Sequence, residues 1–146
     1  MQVELKIDPR CAEPRIVVVA AEMTEEIDAL LKKLSGQDMQ MITGQKDGKL
    51  EILEPAELIR VFAQGGKVLA SARRGQYALR MRLYELEERL DPRRFVRISN
   101  SEIINLCEAE SFDLSIAGTI CVQMKNGETT YVSRRYVSKI RKILGL

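Results

Sequence analysis

Histidine is absent from this sequence of 146 residues. Its absence excludes the Ser-His and Cys-His pairs of nucleophilic catalysis, and with them the common histidine general bases. Carboxylates, lysines and tyrosines remain available, but no G-x-S-x-G, Walker A or Rossmann glycine pattern organises them. We therefore predict that the protein is not an enzyme and has no small-molecule substrate.

Cysteine is scarce and shows no paired spacing. The three cysteines, Cys11, Cys107 and Cys121, are odd in number, far apart in the chain and without a C-x-x-C pattern. A zinc site in a chain without histidine would need unusual ligands. This pattern predicts three reduced cysteines in a cytoplasmic protein, with no metal ion and no cofactor.

Long hydrophobic runs are also missing. No apolar stretch approaches the ~20 residues that cross a membrane. Residues 1–7 lack the basic and apolar segments of a signal peptide. Apolar residues nevertheless make up 45% of the chain, which is enough to bury a core. The length and composition predict one domain, or one domain with a small appendage.

Charge is distributed unevenly along the chain. Residues 1–88 carry 13 Lys and Arg against 15 Asp and Glu, whereas residues 89–146 carry 10 against 6. From Arg134 to Lys142 there are five basic residues and no acidic one. Charge alone leaves two explanations open. The C-terminal part has an anionic partner, or a soluble helix ends in cations that complement its own dipole.

The first 38 residues predict a prefix made of two strands and a helix. Residues 3–7 alternate apolar and polar side chains, and residues 15–20 form a dense β-branched run. Thr24 is a favourable N-cap for a helix that Gly36 would end. Because this segment is too short for its own core, we expect it to dock on the rest of the chain or on a second copy.

Residues 39–146 predict a mainly β domain with short helices, an α+β class. Turn signals separate short apolar strands at Asp47-Gly48, Gly65-Gly66, Arg73-Arg74-Gly75 and Asn126-Gly127. Apolar residues have helical spacing in residues 83–90 and 134–144. Such a domain contacts a partner through loops and strand ends unless its terminal helix does so.

Four sequence pieces occur in the order and spacing of a known family. They are Leu83-Tyr-Glu-Leu-Glu-Glu-Arg-Leu-Asp-Pro-Arg-Arg-Phe-Val-Arg-Ile, Ser99-Asn-Ser-Glu-Ile-Ile-Asn-Leu, Lys125-Asn-Gly-Glu and Val132-Ser-Arg-Arg-Tyr. From residue 44 onward the chain resembles the LytTR family of bacterial DNA-binding domains. The resemblance implies an elongated set of small antiparallel β-sheets. Their loops and strand ends insert into DNA grooves at direct repeats in promoters, and the bound protein regulates transcription.

The resemblance also implies a set of DNA-binding residues. Asn100 matches a family contact position, and Arg135 matches the position where an arginine reads the major groove, which suits guanine O6 and N7. Lys67 is the best candidate for the first loop contact, where members often carry a histidine, so this chain departs from the family there. The remaining implied contacts, chiefly to the DNA backbone, are Arg97, Ser99 and Arg134.

Each of these positions also has a structural explanation. Asn100 would be typical of an Asx-turn or a helix cap, and the Arg134-Arg135 pair could simply begin the last helix. Cations are electrostatically unfavourable at a helix N-terminus, however, which favours a compensating anion there. Arg73 and Arg74 are expected at an exposed hairpin tip.

The expected partners follow from the same resemblance. Family members often carry a receiver domain, but the leading residues here are too few for one. The chain therefore resembles the stand-alone subgroup, whose members often occur beside membrane proteins that restrain them. We expect a homodimer that binds double-stranded DNA, with a membrane protein as inhibitor and the prefix as the dimerisation or docking segment. The competing hypothesis is a non-enzymatic protein-interaction or oligomerisation module with a basic rim.

Overall fold

A computed structural model describes residues 1–35 and 41–146 of the chain. Two compact units are present, Met1–Gln40 and Met41–Leu146. Ten strands in antiparallel sheets and three α-helices make the described chain mainly β. The predicted α+β class is confirmed. None of the described helices is long and apolar enough to cross a membrane.

Residues 1–35 of the first unit contain one regular element, the helix α1 (Glu25–Ser35). Thr24 caps it as predicted, because its hydroxyl oxygen accepts from the Ile27 amide at 3.2 Å. Gly36, the predicted helix end, lies outside the described residues. The two strands predicted in the prefix are wrong: residues 3–7 and 15–20 pair with no strand in the described chain, and their apolar side chains are exposed except for the half-buried Val18. A β-branched run becomes a strand only when a partner edge accepts its backbone hydrogen bonds.

The second unit contains two antiparallel sheets. Seven strands form the first sheet in the order β2-β1-β5-β4-β3-β7-β6, and three form the second in the order β10-β9-β8. The strands are β1 (Ile42–Lys46), β2 (Lys49–Leu53), β3 (Leu58–Gln64), β4 (Lys67–Ala72), β5 (Gly75–Leu79), β6 (Phe95–Ser99), β7 (Glu102–Asn105), β8 (Ala109–Asp113), β9 (Ile120–Met124) and β10 (Thr129–Val132). The helices are α2 (Leu83–Arg89) and α3 (Arg134–Ile143).

The predicted hairpins are confirmed because the turn residues adopt the backbone angles that their types favour. Asp47 and Gly48 both have positive φ between β1 and β2, as do Gly65 and Gly66 between β3 and β4. Between β9 and β10 the turn closes at Gly127, whose amide donates to the Met124 carbonyl at 3.0 Å. Strand β8 was not predicted, since this edge strand exposes most of its side chains and so lacks a clear apolar pattern.

Two hydrophobic cores form on opposite faces of the seven-stranded sheet. The first joins the sheet to α2, and the second joins β3, β6 and β7 to the three-stranded sheet and α3. Adjacent residues of one strand alternate between them: Phe95 belongs to the first core and Val96 to the second, as do Ile103 and Ile104 of β7. Strands β6 and β7, at one side of the sheet, are therefore buried on both faces.

Ion pairs connect the two sheets beside the second core. Arg60 of β3 contacts Glu102 of β7 at 3.1 Å and also the carboxylate of Glu128, which follows the β9–β10 turn. Ser71 donates a further hydrogen bond to Glu128. Burial raises the pKa of Glu102, and the Arg60 charge only partly offsets it. Burial also opposes ionisation of Glu128, but hydrogen bonds from Arg60, Ser71 and Asn126 outweigh it and lower the pKa of that carboxyl.

Candidate nucleic-acid interface

Three chain segments meet at one end of the seven-stranded sheet because the strands are antiparallel. Strand β3 ends where β7 begins, and the Ala63 amide donates to the Ser101 carbonyl at 2.8 Å. The start of β4 pairs with the end of β5 through Val68 and Leu79. The β3–β4 turn, the β6–β7 turn and residues 80–82 after β5 are therefore neighbours in space.

These segments line an open cleft that contains four cationic side chains and no acidic one. The charged and amide groups of this sheet-end cleft are those of Lys67, Arg80, Arg82, Arg97 and Asn100. Lys67, Arg80, Arg82 and Asn100 are exposed. Lys67, Arg80 and Arg82 form no salt bridge within the described chain. A surface that concentrates unpaired positive charge in a concavity attracts anions.

Arg97 differs from the other cations of the sheet-end cleft because its guanidinium already has protein partners. Its Nε donates to the Ser99 carbonyl at 2.8 Å, and Nη2 donates to the Asn100 carbonyl at 2.5 Å. The remaining amino group pairs with Glu87 of α2 at 2.8 Å. The side chain is 14% exposed. Arg97 thus holds the backbone of the β6–β7 turn, and its contact with a phosphate stays a prediction.

Ser99 rather than Asn100 closes the β6–β7 turn. The Ser99 hydroxyl oxygen accepts from the Ser101 amide at 3.2 Å, and the two serine hydroxyls lie 3.3 Å apart. The Asn100 side chain projects from this turn and does not serve it as an Asx-turn would. Its Nδ2 group has no hydrogen-bond partner among residues 1–35 and 41–146.

The N-terminus of α3 lies close to the same turn. The Ser133 amide donates to the Ile98 carbonyl at 2.9 Å. This bond holds the start of the helix against β6, and Ile98 is two residues before Asn100 in the chain. The Tyr136 hydroxyl then donates to Asn100 Oδ1 at 3.2 Å. The Arg135 guanidinium lies 6.0 Å from the centre of the Tyr136 ring. Arg135 is exposed and immediately precedes the tyrosine that contacts Asn100.

Arg134 faces a different surface. It lines an open groove with Gly118, Ser138, Arg141 and Lys142, and all five residues are exposed. Residues 134, 138 and 141 follow helical spacing on one side of α3. The adjacent arginines of the sequence therefore have different surroundings: the Arg135 guanidinium is near the Tyr136 ring, and Arg134 begins a basic strip along the helix.

The structure brings together some of the predicted residues and adds others. Lys67, Arg97 and Asn100 share the sheet-end cleft, and Tyr136 connects Arg135 to them. Sequence reasoning missed Arg80, Arg82 and Tyr136. The two arginines within three residues after the β5 pattern were an available signal, because clustered cations favour an anionic partner.

The arginines at the β4–β5 turn have acidic partners instead. Arg73 contacts Glu108, and Arg74 contacts Glu57 at 2.8 Å and Glu51 at 3.6 Å. The hydrogen bond from Arg74 lowers the pKa of Glu57 below its ordinary value. These contacts account for both arginines as hairpin-tip residues. Among the described residues, no group of three or more Cys, Asp or Glu side chains is placed to hold a metal ion.

Similarity to known proteins is consistent with this geometry. The family model of the LytTr DNA-binding domain matches residues 48–145. Two HTH-type transcriptional regulators of Staphylococcus aureus, both described as uncharacterized, are similar over 100% of this chain and 99% of their own length. The one from strain bovine RF122 / ET3-1 is 31% identical, and the one from strain MSSA476 is 30% identical.

A solved structure has the same fold. It is a LytTr DNA-binding domain from Bacillus cereus, which superposes with a TM-score of 0.70 at 24% sequence identity. The superposition covers 73% of this chain and 99% of the other. In the described part of this chain, five strands separate α2 from α3 and five separate α1 from α2. No two of these α-helices are consecutive in the described chain.

Proposed function

This chain belongs to the LytTr DNA-binding domain family, and on that premise we propose that it binds direct repeats in promoters and regulates transcription through loops and strand ends placed in DNA grooves. DNA binding by a transcriptional regulator agrees with both the family and the relatives. The finer statements, which concern the repeats, the grooves and the residues, are supported by the sheet-end cleft.

The observation that carries this proposal is the unpaired positive charge of the sheet-end cleft. Lys67, Arg80 and Arg82 converge there from two segments, and no acidic residue lines the surface. Mutual repulsion between like charges opposes such an arrangement unless an anion binds it. Duplex DNA offers about one negative charge per 1.7 Å of helix axis, so it can neutralise several cations at once.

The first turn of α3 supports the same partner. Arg134 and Arg135 are its first two residues, and the turn contains no acidic side chain. Two cations at the positive end of a helix dipole are unfavourable by a few tenths of a kcal/mol each, roughly. A phosphate placed beside them removes this penalty. Without an anionic partner, two arginines at the start of a helix would be electrostatically unfavourable.

We assign different roles to these residues. Arg135 and Asn100 contact base edges, because an arginine fork and an amide suit the donor and acceptor groups of the major groove. Lys67 is the third candidate for a base contact. Arg80, Arg82 and Arg134 contact phosphates, which fixes the position of the protein on the duplex without reading its sequence.

Selection of duplexes from a randomised pool tests the proposal directly. Full-length protein should enrich a repeated motif, and gel-shift assays should show tighter binding to that motif than to random duplex. The promoter upstream of its own gene is a suitable natural probe. Equal binding to every sequence would contradict sequence-specific regulation. No binding to DNA at low salt would favour the competing hypothesis of a protein-interaction module.

The roles of Arg80 and Arg82 predict a change in salt dependence. Replacing both with glutamine should reduce the slope of log affinity against log salt by about 1.8, because each lost phosphate contact contributes about 0.9. The double variant should bind every duplex more weakly, and by the same factor whatever the base sequence. The matched control is Lys49→Gln with Arg93→Gln, which removes the same charge from exposed residues outside the sheet-end cleft. An equal change in both variants would show that only net charge matters.

We also propose that residues 1–38 mediate homodimerisation in the cytoplasm or docking of an inhibitory membrane protein. Ile16, Val17 and Val19 are exposed there at 73%, 68% and 91%, and a run of exposed apolar side chains favours association. Ile16→Asp with Val19→Asp should shift sedimentation of the full chain from dimer to monomer. Replacing exposed Glu4 and Glu22 of the same unit with glutamine is the control. A dimer that survives the aspartate substitutions would exclude dimerisation through this segment.

A further inference from the structure

One hydrogen bond joins two separate segments of the candidate interface. The Tyr136 hydroxyl of α3 donates to Asn100 Oδ1 of the β6–β7 turn at 3.2 Å, across 36 residues of sequence. Tyr136 is half-buried, and its ring packs against the second core beside Val137. The aromatic ring is thus held by the core, while its hydroxyl reaches the exposed amide.

The bond determines which face of the Asn100 amide is available to a ligand. A tyrosine hydroxyl that donates to Oδ1 fixes the amide so that Nδ2, with its two N–H donors, points away from the protein. Arg97 fixes the turn backbone independently through the Ser99 and Asn100 carbonyls. With the turn backbone fixed, the Asn100 side chain can still rotate, and the hydrogen bond from Tyr136 restricts that rotation.

We propose that Tyr136 is a positioning residue that makes Asn100 a donor toward DNA and so determines part of the sequence specificity. The proposal rests on the proposed function. A fixed donor selects acceptor atoms of the major groove, which are the purine N7 atom, guanine O6 and thymine O4, over the amino group of cytosine. An asparagine side chain that rotates freely would present either its N–H donors or its carbonyl acceptor to the DNA, and so would discriminate less between base pairs.

Arg135 also lies near Tyr136. Its guanidinium lies over the Tyr136 ring at 6.0 Å, a distance at the limit of cation–π attraction. The same tyrosine therefore bonds Asn100 through its hydroxyl and has the Arg135 guanidinium near its ring. Tyr136→Phe removes the first contact and keeps the second, so the variant isolates the role of the hydroxyl.

DNA binding by four proteins tests the inference: full-length wild type, Tyr136→Phe, Asn100→Ala and the double variant. On the duplex that wild type selects, Tyr136→Phe should weaken binding about five-fold, the loss expected for one hydrogen bond. Its preference should relax at the base pair that Asn100→Ala also affects. In the Asn100→Ala background, Tyr136→Phe should have no further effect. Equal losses in both backgrounds would overturn the positioning role.

Nuclear magnetic resonance of the DNA-free protein separates this inference from the proposed function. The Asn100 side-chain amide should show one restrained conformation in wild type and averaged signals in Tyr136→Phe. Tyr131→Phe, at an exposed tyrosine of β10, is the control and should change neither readout. An Asn100 amide equally mobile in wild type and Tyr136→Phe overturns the inference even if DNA is bound. A restrained amide in a protein that binds no DNA overturns the proposed function, and with it the specificity role.

Discussion

Replacing Arg135 with alanine should abolish most of the preference for one base pair, at a cost of about 1–3 kcal/mol in discrimination. Arg135 is exposed at the start of α3, beside the turn that carries Asn100. Its guanidinium forms no salt bridge in the described chain, so its forked donors are available to guanine O6 and N7. Truncation removes both donors and leaves the fold intact, because the side chain is not part of either core.

Competition assays with single base-pair variants of the selected duplex measure this effect. Wild type should lose affinity when the contacted pair is changed, whereas Arg135→Ala should bind the original and changed duplexes alike. Lys139→Ala is the matched control, since it removes the same charge from an exposed position of the same helix. A uniform loss on every duplex would instead identify Arg135 as a backbone contact.

Replacing Arg60 with methionine should lower the free energy of unfolding by about 3 kcal/mol, the lower end for removing one partner of a buried ion pair. Arg60 serves both Glu102 and Glu128, and its side chain is 20% exposed while that of Glu102 is 12% exposed. It also stacks on the Phe62 ring at 4.1 Å. Without the guanidinium, two carboxylates remain near each other at the junction of the two sheets.

The pH dependence of this loss has a defined sign. Burial raises the pKa of Glu102 above its ordinary value of 4.5. The stability that a protonated Glu102 contributes is complete below that ordinary value, and it is lost as pH rises through the raised folded-state pKa. Arg60 stabilises the ionised form of Glu102, which is populated only as pH rises. The loss of stability caused by Arg60→Met should therefore be smallest in acid and grow toward neutral pH. Urea unfolding at a series of pH values measures it.

Two further variants control for the stability effect. Arg93→Met removes an arginine whose side chain is 90% exposed and paired with Asp91, so its cost should stay within about 0–1 kcal/mol. In a Glu102→Gln background, Arg60→Met should cost less, because only the Glu128 carboxylate loses its partner there. An equal cost in both backgrounds would show that the loss comes from the Glu128 pair and the Phe62 contact and not from Glu102.

Local sequence signals predicted the elements of the second unit well. Hairpins at Asp47-Gly48 and Gly65-Gly66 formed because positive φ at these residues is a local requirement that the residue types meet. The prefix strands were wrong for the opposite reason. A strand depends on a partner edge, and the β-branched composition of residues 15–20 carries no information about whether one is available.

The site was only partly predictable because its geometry is non-local. Asn100 and Arg135 were identified from motif order, and these assignments stay predictions. The inward orientation of Arg97 depends on Glu87 of α2, and the Tyr136 contact depends on the packing of α3 against β6. Arg80 and Arg82 belong to the cleft only because β5 ends beside the β3–β4 turn. No spacing rule along the chain encodes these proximities.

The pairing of β3 with β7 also has a consequence for folding. It joins residues 60–62 to residues 102–104, across the three strands β4, β5 and β6 and the helix α2 that lie between them in the chain. Closing such a distance is entropically costly, so this contact should form after the local hairpins. The sheet-end cleft is incomplete until it forms. A ligand that needs both sides of the cleft therefore stabilises the fully assembled sheet over partly folded chains, by mass action.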